Sequence, residues 1–205
     1  MKAHAVVLGA GAGRRFGGGK LLATYDGRPL VAWAVEAALR SPVNAVTVVV
    51  APGGEAITQA ARAAAAAYGE EHRLSVTVAH DAEEGMGASL RAGVAAAPAD
   101  AAVVVFLGDM PRIDAAVVKR LLAALEGGSL AATPVLGERR GHPAVFAPAL
   151  REQLLKVGGD AGARDVLAGL GERLVLVPVD DEGVLFDVDT REDLAGSGAD
   201  VSRGS

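Results

Sequence analysis

A short apolar run, Ala5-Val6-Val7-Leu8, opens directly into Gly9-Ala10-Gly11-Ala12-Gly13-Arg14-Arg15-Phe16-Gly17-Gly18-Gly19-Lys20. The run reads as a buried strand. Six of the thirteen residues from Leu8 to Lys20 are glycine, so the backbone there is free to take φ > 0 and to approach a ligand closely. Arg14, Arg15 and Lys20 add fixed positive charge. Free N–H groups combined with cations suit an anion, above all a nucleotide phosphate. The bland alternative, a flexible surface loop, does not account for the buried strand and the spaced cations together.

The default phosphate motifs fail here. A dinucleotide fingerprint begun at Gly9 and Gly11 needs glycine at Arg14, and one begun at Gly11 and Gly13 needs it at Phe16. A Walker A loop ending at Gly19-Lys20 needs glycine at Arg14 and Ser or Thr at Leu21.

The rest of the chain alternates strand and helix patterns. Strands are expected at 45–50, 74–79, 102–107, 130–135, 144–146 and 173–178. Helices are expected from Pro29, placed at a first helical position, to Arg40, over 55–68, after Glu84, and from an Asp114 cap to Gly127-Gly128. Two short helices, 149–156 and 163–170, and a last one after Thr190 complete the pattern. Trp33 is expected to pack at the edge of its helix face, and Arg62, Arg73 and Arg151 to be solvated. This order points to an α/β fold, Rossmann-like, with a mostly parallel sheet and helices on both faces. No internal linker is apparent, so residues 1–195 are expected to form a single domain, with 196–205 a disordered tail.

Composition narrows the function classes. A net charge of −5 argues against bulk nucleic-acid binding, and an aromatic content of 3% against base-stacking platforms. No apolar run approaches the ~20 residues that span a bilayer, and Met1-Lys2-Ala3-His4 has no signal-peptide character. With no cysteine there is neither a disulfide framework nor a thiolate site. The expectation is a cytoplasmic protein.

Acidic residues supply a second constellation. Gly108-Asp109-Met110-Pro111 follows the most hydrophobic strand, where open α/β sheets bind ligands. Asp109 either faces such a ligand or bonds its own turn. Beside a triphosphate, Asp109 suits Mg²⁺, which takes one or two carboxylates with phosphate oxygens and waters. Asp187 and Asp189 alternate, and in an extended segment after a strand they point the same way. Asp189 also fits a helix N-cap. His142, before Pro143, either lines a turn or bonds a substrate. Arg164 either reaches a phosphate or pairs with Asp160 or Asp165. His4, His72 and His80 carry no metal-ligand spacing.

The pattern L-x-x-G-x-G-x-R-F-G-x-x-K at 8–20 resembles the signature loop of the MobA-like nucleotidyltransferases, which wraps an NTP triphosphate. Gly108-Asp109-Met110-Pro111 looks like the family's G-D-[MQ]-P, and 187–193 like its D-[IV]-[DN]-T-x-E-D. Gly141-His142-Pro143, Glu84 to Leu90 and Gly159 to Arg164 look like further motifs of the molybdenum-cofactor branch. Gly9 departs from that branch's cytidylyl members, where alanine is usual, and adds flexibility.

The resemblance implies the nucleotide-diphospho-sugar transferase type of fold. It also implies a set of roles. Leu8, Gly9, Ala10, Gly11, Ala12, Gly13, Arg14, Arg15, Lys20, Gly85, Ser89 and Gly108 bind the nucleotide. Arg15, Lys20 and Asp109 are catalytic. Asp109, Asp187 and Asp189 hold Mg²⁺, with Mn²⁺ as an alternative. His142, Pro143, Asp160 and Arg164 hold the acceptor. The implied reaction joins CTP to the phosphate of Mo-molybdopterin and releases pyrophosphate, with Ala10 narrowing the space near the base. A molybdoenzyme or its chaperone receives the product. A GTP-using member, a different phosphorylated acceptor and a non-catalytic nucleotide or pterin carrier are the competing readings; a dehydrogenase is the weakest.

Overall fold

The computed structural model describes residues 1–11 and 16–195. Ala12–Arg15 and the expected tail, 196–205, lie outside the described residues. The main sheet runs β10-β7-β9-β6-β1-β4-β5, with β8 added beside β7. Its strands are β1 (Ala3–Leu8), β4 (Ala45–Val50), β5 (Leu74–Val78), β6 (Ala102–Leu107), β7 (Ala131–Leu136), β8 (Arg139–Arg140), β9 (Ala144–Phe146) and β10 (Leu174–Pro178). A small hairpin pairs β2 (Thr24–Tyr25) with β3 (Arg28–Pro29).

The β1–β6, β1–β4, β4–β5 and β7–β10 pairs are parallel, whereas β9 lies antiparallel between β6 and β7. The sheet is therefore mixed but mostly parallel, as its valine-rich strands require: strands buried on both faces read as continuous apolar runs. The helices are α1 (Leu30–Arg40), α2 (Glu55–Ala67), α3 (Met86–Ala96), α4 (Ala115–Glu126), α5 (Arg151–Leu154), α6 (Arg164–Ala168) and α7 (Glu192–Ala195).

Period-two alternation along β1 sorts the two faces. Ala5 and Val7 belong to one buried cluster, with Val31 and Val35 of α1, Ala61 of α2 and Leu121 of α4. Val6 and Leu8 belong to the other, with Leu90 and Val94 of α3 and Leu154 of α5. Helices thus cover both faces.

Three local expectations change. Pro29 is the residue before α1, not its first residue, and with Arg28 forms the strand paired to Thr24-Tyr25. Arg73 is not solvated: its guanidinium donates to the carbonyls of Leu39, Val43 and Asn44, bracing the α1–β4 connection. Arg151 likewise donates to the carbonyls of Ala97 and Ala95 at the end of α3. The Asp114 cap is present, its Oδ1 accepting from Ala116 N at 2.8 Å.

Candidate nucleotide and metal site

Leu8 and Leu107 are register partners on adjacent parallel strands, so the loops that leave them emerge side by side. Gly108 N donates to Leu8 O at 3.0 Å, and Gly9 N to Val49 O at 2.8 Å. A Cβ on Gly9 would lie 2.9 Å from Val49 O. Gly9 therefore serves close backbone packing, not the added flexibility expected of it. Ala10 is 7% exposed and packs into the cluster beneath α3, whereas Gly11 is exposed, with no described residue within 4 Å of where its Cβ would lie.

Gly17, Gly18 and Gly19 take φ of 84°, 90° and 66°, three left-handed residues in succession that only glycine adopts readily. They lead into a 3-10 turn, Lys20–Leu22, whose buried Leu21 anchors the backbone beneath Gly9 and Gly108. With Leu21 fixed inward, Lys20 is presented to the strand ends.

There Lys20 Nζ donates to Asp109 Oδ2 at 2.7 Å and to Asp189 Oδ1 at 3.0 Å. The lysine side chain is 11% exposed. Burial opposes its charge, yet the two carboxylates outweigh burial and hold the ammonium pKa above its usual value. The Asp187 carboxyl is pushed up, chiefly by burial and then by the charges of Asp189 and Asp109. The three acidic groups thus share one electrostatic neighbourhood, and the structure brings together Lys20, Asp109, Asp187 and Asp189.

The segment carrying the second pair of acids is not a strand and follows a 3-10 turn, Glu182–Leu185. What sets its register is Val188, fully buried between the two aspartates. Asp193 Oδ2 accepts from the N–H groups of Asp189 and Thr190 at 2.9 and 2.7 Å, and the Asp189 carboxylate accepts from Lys20.

An aromatic cluster was not foreseen as part of this site. Phe16, Tyr25, Leu30 and Val188 pack together with Trp33 and Phe186, joining the glycine loop, the β2–β3 hairpin, α1 and the acidic segment. Arg112 donates to Tyr25 Oη at 2.5 Å and lies 4.0 Å over the Phe186 ring. Arg191 lies 4.9 Å over Phe16. Trp33 does sit at the helix edge, with Arg28 over its ring at 3.6 Å and Nε1 donating to Tyr25 O. The available signal was that three of the chain's seven aromatic residues, Phe16, Tyr25 and Trp33, follow the glycine loop closely, with Phe186 directly before Asp187.

A second group forms across α3. Gly85 adopts φ 111°, and a Cβ there would meet Asp160 Oδ1 and the Gly159 carbonyl. Gly87 N donates to Gly159 O at 2.8 Å. Arg91 donates to Val157 O at 2.6 Å and also binds Asp81 and Glu84, clamping the 81–85 and 157–160 loops together. Ser89 is buried on α3.

His142 N donates to Val184 O at 2.9 Å, ahead of a cis bond to buried Pro143. Its Nδ1 is shielded from solvent with no hydrogen-bond partner among the described residues. Burial lowers the imidazole pKa, with Asp109 acting upward and Arg164 further downward. His142 thus lies within electrostatic reach of both. Arg164 is exposed at the start of α6, and among the described residues it pairs with neither Asp160 nor Asp165.

Neither of two surface hollows, about 310 Å³ beside α2 and about 330 Å³ between 153 and 166, is lined by Lys20, Asp109 or Asp189. Among the described residues no three or more His, Cys, Asp or Glu side chains form a ready metal cage. No helix among them is long and apolar enough to cross a membrane.

Three comparisons bear on identity. Nicotine blue oxidoreductase from Paenarthrobacter nicotinovorans is 38% identical over 199 residues, covering 92% of this chain and 93% of that one. A crystal structure of a homologue of Mycobacterium tuberculosis rv0371c, from Mycobacterium sp. strain JC1, superposes with a TM-score of 0.81 at 25% identity, covering 96% and 98%. Rv0371C of M. tuberculosis H37Rv, solved in complex with manganese, superposes with a TM-score of 0.71 at 22% identity, covering 96% and 97%. The fold is that of the nucleotide-diphospho-sugar transferases. Residues 5–175 match the MobA-like NTP transferase domain, and the chain belongs to that family.

Proposed function

We propose that this protein transfers a nucleotidyl group from an NTP, CTP by preference, to the phosphate of Mo-molybdopterin. The observation that carries the reading is the convergence of Lys20, Asp109 and Asp189 where β1 and β6 end, beside the glycine loop. An oxygen of the acceptor phosphate forms a bond to the α-phosphorus, the bond from that phosphorus to the bridging oxygen breaks, and pyrophosphate leaves. A phosphate monoester is already anionic at neutral pH, so no general base is required. The protein's contribution is position and charge.

The residues fit a hard divalent cation, Mg²⁺ or Mn²⁺. Asp109 and Asp189 offer oxygen donors without a full protein cage, which leaves room for phosphate oxygens and waters. Held there, such an ion would supply charge neutralisation on the triphosphate. Manganese in Rv0371C, on the same fold, supports this assignment. Arg15 neutralises the departing pyrophosphate and Lys20 moves to the phosphates. Gly11 and Gly13 offer N–H groups. Asp187, the more exposed neighbour, tunes the field around the pair. His142, Pro143, Asp160 and Arg164 border the acceptor side. Residues 1–195 act as one cytoplasmic domain that passes its product to a molybdoenzyme or a chaperone.

Nicotine blue oxidoreductase gives a second reading, hydride transfer. The failed dinucleotide fingerprint at Arg14 and Phe16 speaks against it. The two are separated by incubating purified protein with each NTP, Mg²⁺ and molybdopterin, and in parallel with reduced nicotinamide cofactors and dye acceptors. Pyrophosphate release that disappears in Asp109→Ala supports transfer. Cofactor oxidation without pyrophosphate supports the rival.

A further inference from the structure

Asp109 and Asp189 arrive from different elements, the end of β6 and the segment after the Glu182–Leu185 turn. Two carboxylates brought to one place repel each other unless a cation lies between them. In this structure a cation does: Lys20 Nζ bonds an oxygen of each, at 2.7 and 3.0 Å. A divalent ion drawing on the same pair meets occupied oxygens and a like charge in a partly buried setting, where screening is weak.

We propose that Lys20 is a built-in counter-cation that keeps the Asp109–Asp189 pair closed to free divalent metal until a polyphosphate draws its ammonium away. The inference rests on the nucleotidyl-transfer reading and adds an order of events to it: metal binds with the triphosphate and not before. The backbone around Lys20 suits such a switch. Leu21 is buried and fixes the 3-10 turn, so the flexible four-carbon stem can change partners without the loop refolding. A lysine carries a compact charge that transfers easily between anions, whereas an arginine would hold a carboxylate in a two-point grip.

The consequence is a reversal of sign. Removing Lys20 lowers nucleotidyl transfer yet raises affinity for free metal. The test measures Mn²⁺ binding by the loss of its free-ion paramagnetic resonance signal. It uses the full chain, Lys20→Met, Lys20→Gln and the double variant Lys20→Met/Asp109→Asn, each with and without CTP and with no acceptor present. Circular dichroism and thermal unfolding show whether each variant is folded, and the two lysine variants check each other.

The expected result is that both single variants bind Mn²⁺ alone about tenfold more tightly than the unaltered protein. The gain is lost in the double variant, and CTP narrows the difference by tightening Mn²⁺ binding to the unaltered protein. If folded Lys20→Met and Lys20→Gln bind Mn²⁺ alone no more tightly, while the unaltered protein binds Mn²⁺ with CTP, the switch is overturned and the nucleotidyl-transfer reading stands. If the unaltered protein binds Mn²⁺ in neither condition, both are overturned.

Discussion

Val188 donates its backbone N–H to the carbonyl oxygen of Asp109 at 3.1 Å, and its side chain is completely buried. This bond joins the end of β6 to the distant acidic segment. The position of Asp187 and Asp189 beside Asp109 is therefore fixed by packing, and only secondarily by charge.

Val188→Ala removes two methyl groups from the cluster of Phe16, Tyr25 and Leu30. We expect a loss of about 1–3 kcal/mol in unfolding free energy, read from urea denaturation. The apparent affinity for Mg-CTP should fall with it, because the acidic segment loses its anchor. Unchanged stability would mean that this cluster does not hold the segment.

Asp109→Asn keeps the side chain's shape and removes its charge. Transfer should fall by roughly 10²- to 10⁴-fold, as expected when a group that organises transition-state charge is lost. Lys20 retains Asp189, so the thermal midpoint should move little. A variant with near-normal turnover would show that Asp109 only bonds its own turn.

Two glycines should respond to very different extents. Gly85 combines φ 111° with contact to the Gly159 carbonyl, so Gly85→Ala should cost about 1–3 kcal/mol or more and loosen the acceptor side. Gly11 has no described residue near its missing Cβ, and Gly11→Ala should shift stability by less than about 1 kcal/mol. Differential scanning calorimetry of the pair checks both.

The buried His4, 2.7 Å from Thr47 Oγ1, has its pKa lowered by burial. Folding therefore favours the neutral ring. Its contribution is complete above the unfolded histidine value near 6.5 and is lost as pH falls below it, because the unfolded chain then binds the extra proton. One histidine can supply a slope of at most about 1.4 kcal/mol per pH unit. Urea unfolding between pH 7.5 and 5.5 should show the decline, and His4→Gln should reduce its slope, leaving the share of His142, whose pKa is also lowered by burial.

The central sheet was legible because fully buried parallel strands leave continuous apolar runs, as at Val103–Leu107. The antiparallel insertion of β9 was not, since three residues, Ala144–Phe146, carry no sign of direction. In the site, the meeting of Lys20 and Asp109 was legible in part because both sit in loops that leave adjacent strand ends. The function of Val188 was hidden: one buried valine between two aspartates looks like ordinary alternation until Phe16 and Tyr25 are seen against it. Arg73 and Arg151 were misread for a related reason, because an arginine that satisfies carbonyls at element ends resembles a solvated one in sequence.

The most direct test of nucleotidyl transfer is product analysis. Purified protein is incubated with CTP or GTP, Mg²⁺ and molybdopterin, and the products are resolved by mass spectrometry alongside a pyrophosphate assay. The account predicts a molybdopterin–cytosine dinucleotide formed in equal amount to pyrophosphate, exceeding the guanine product and absent with Asp109→Ala. Hydride transfer from a nicotinamide cofactor, with no nucleotidylated product or pyrophosphate from any NTP and acceptor, would contradict it.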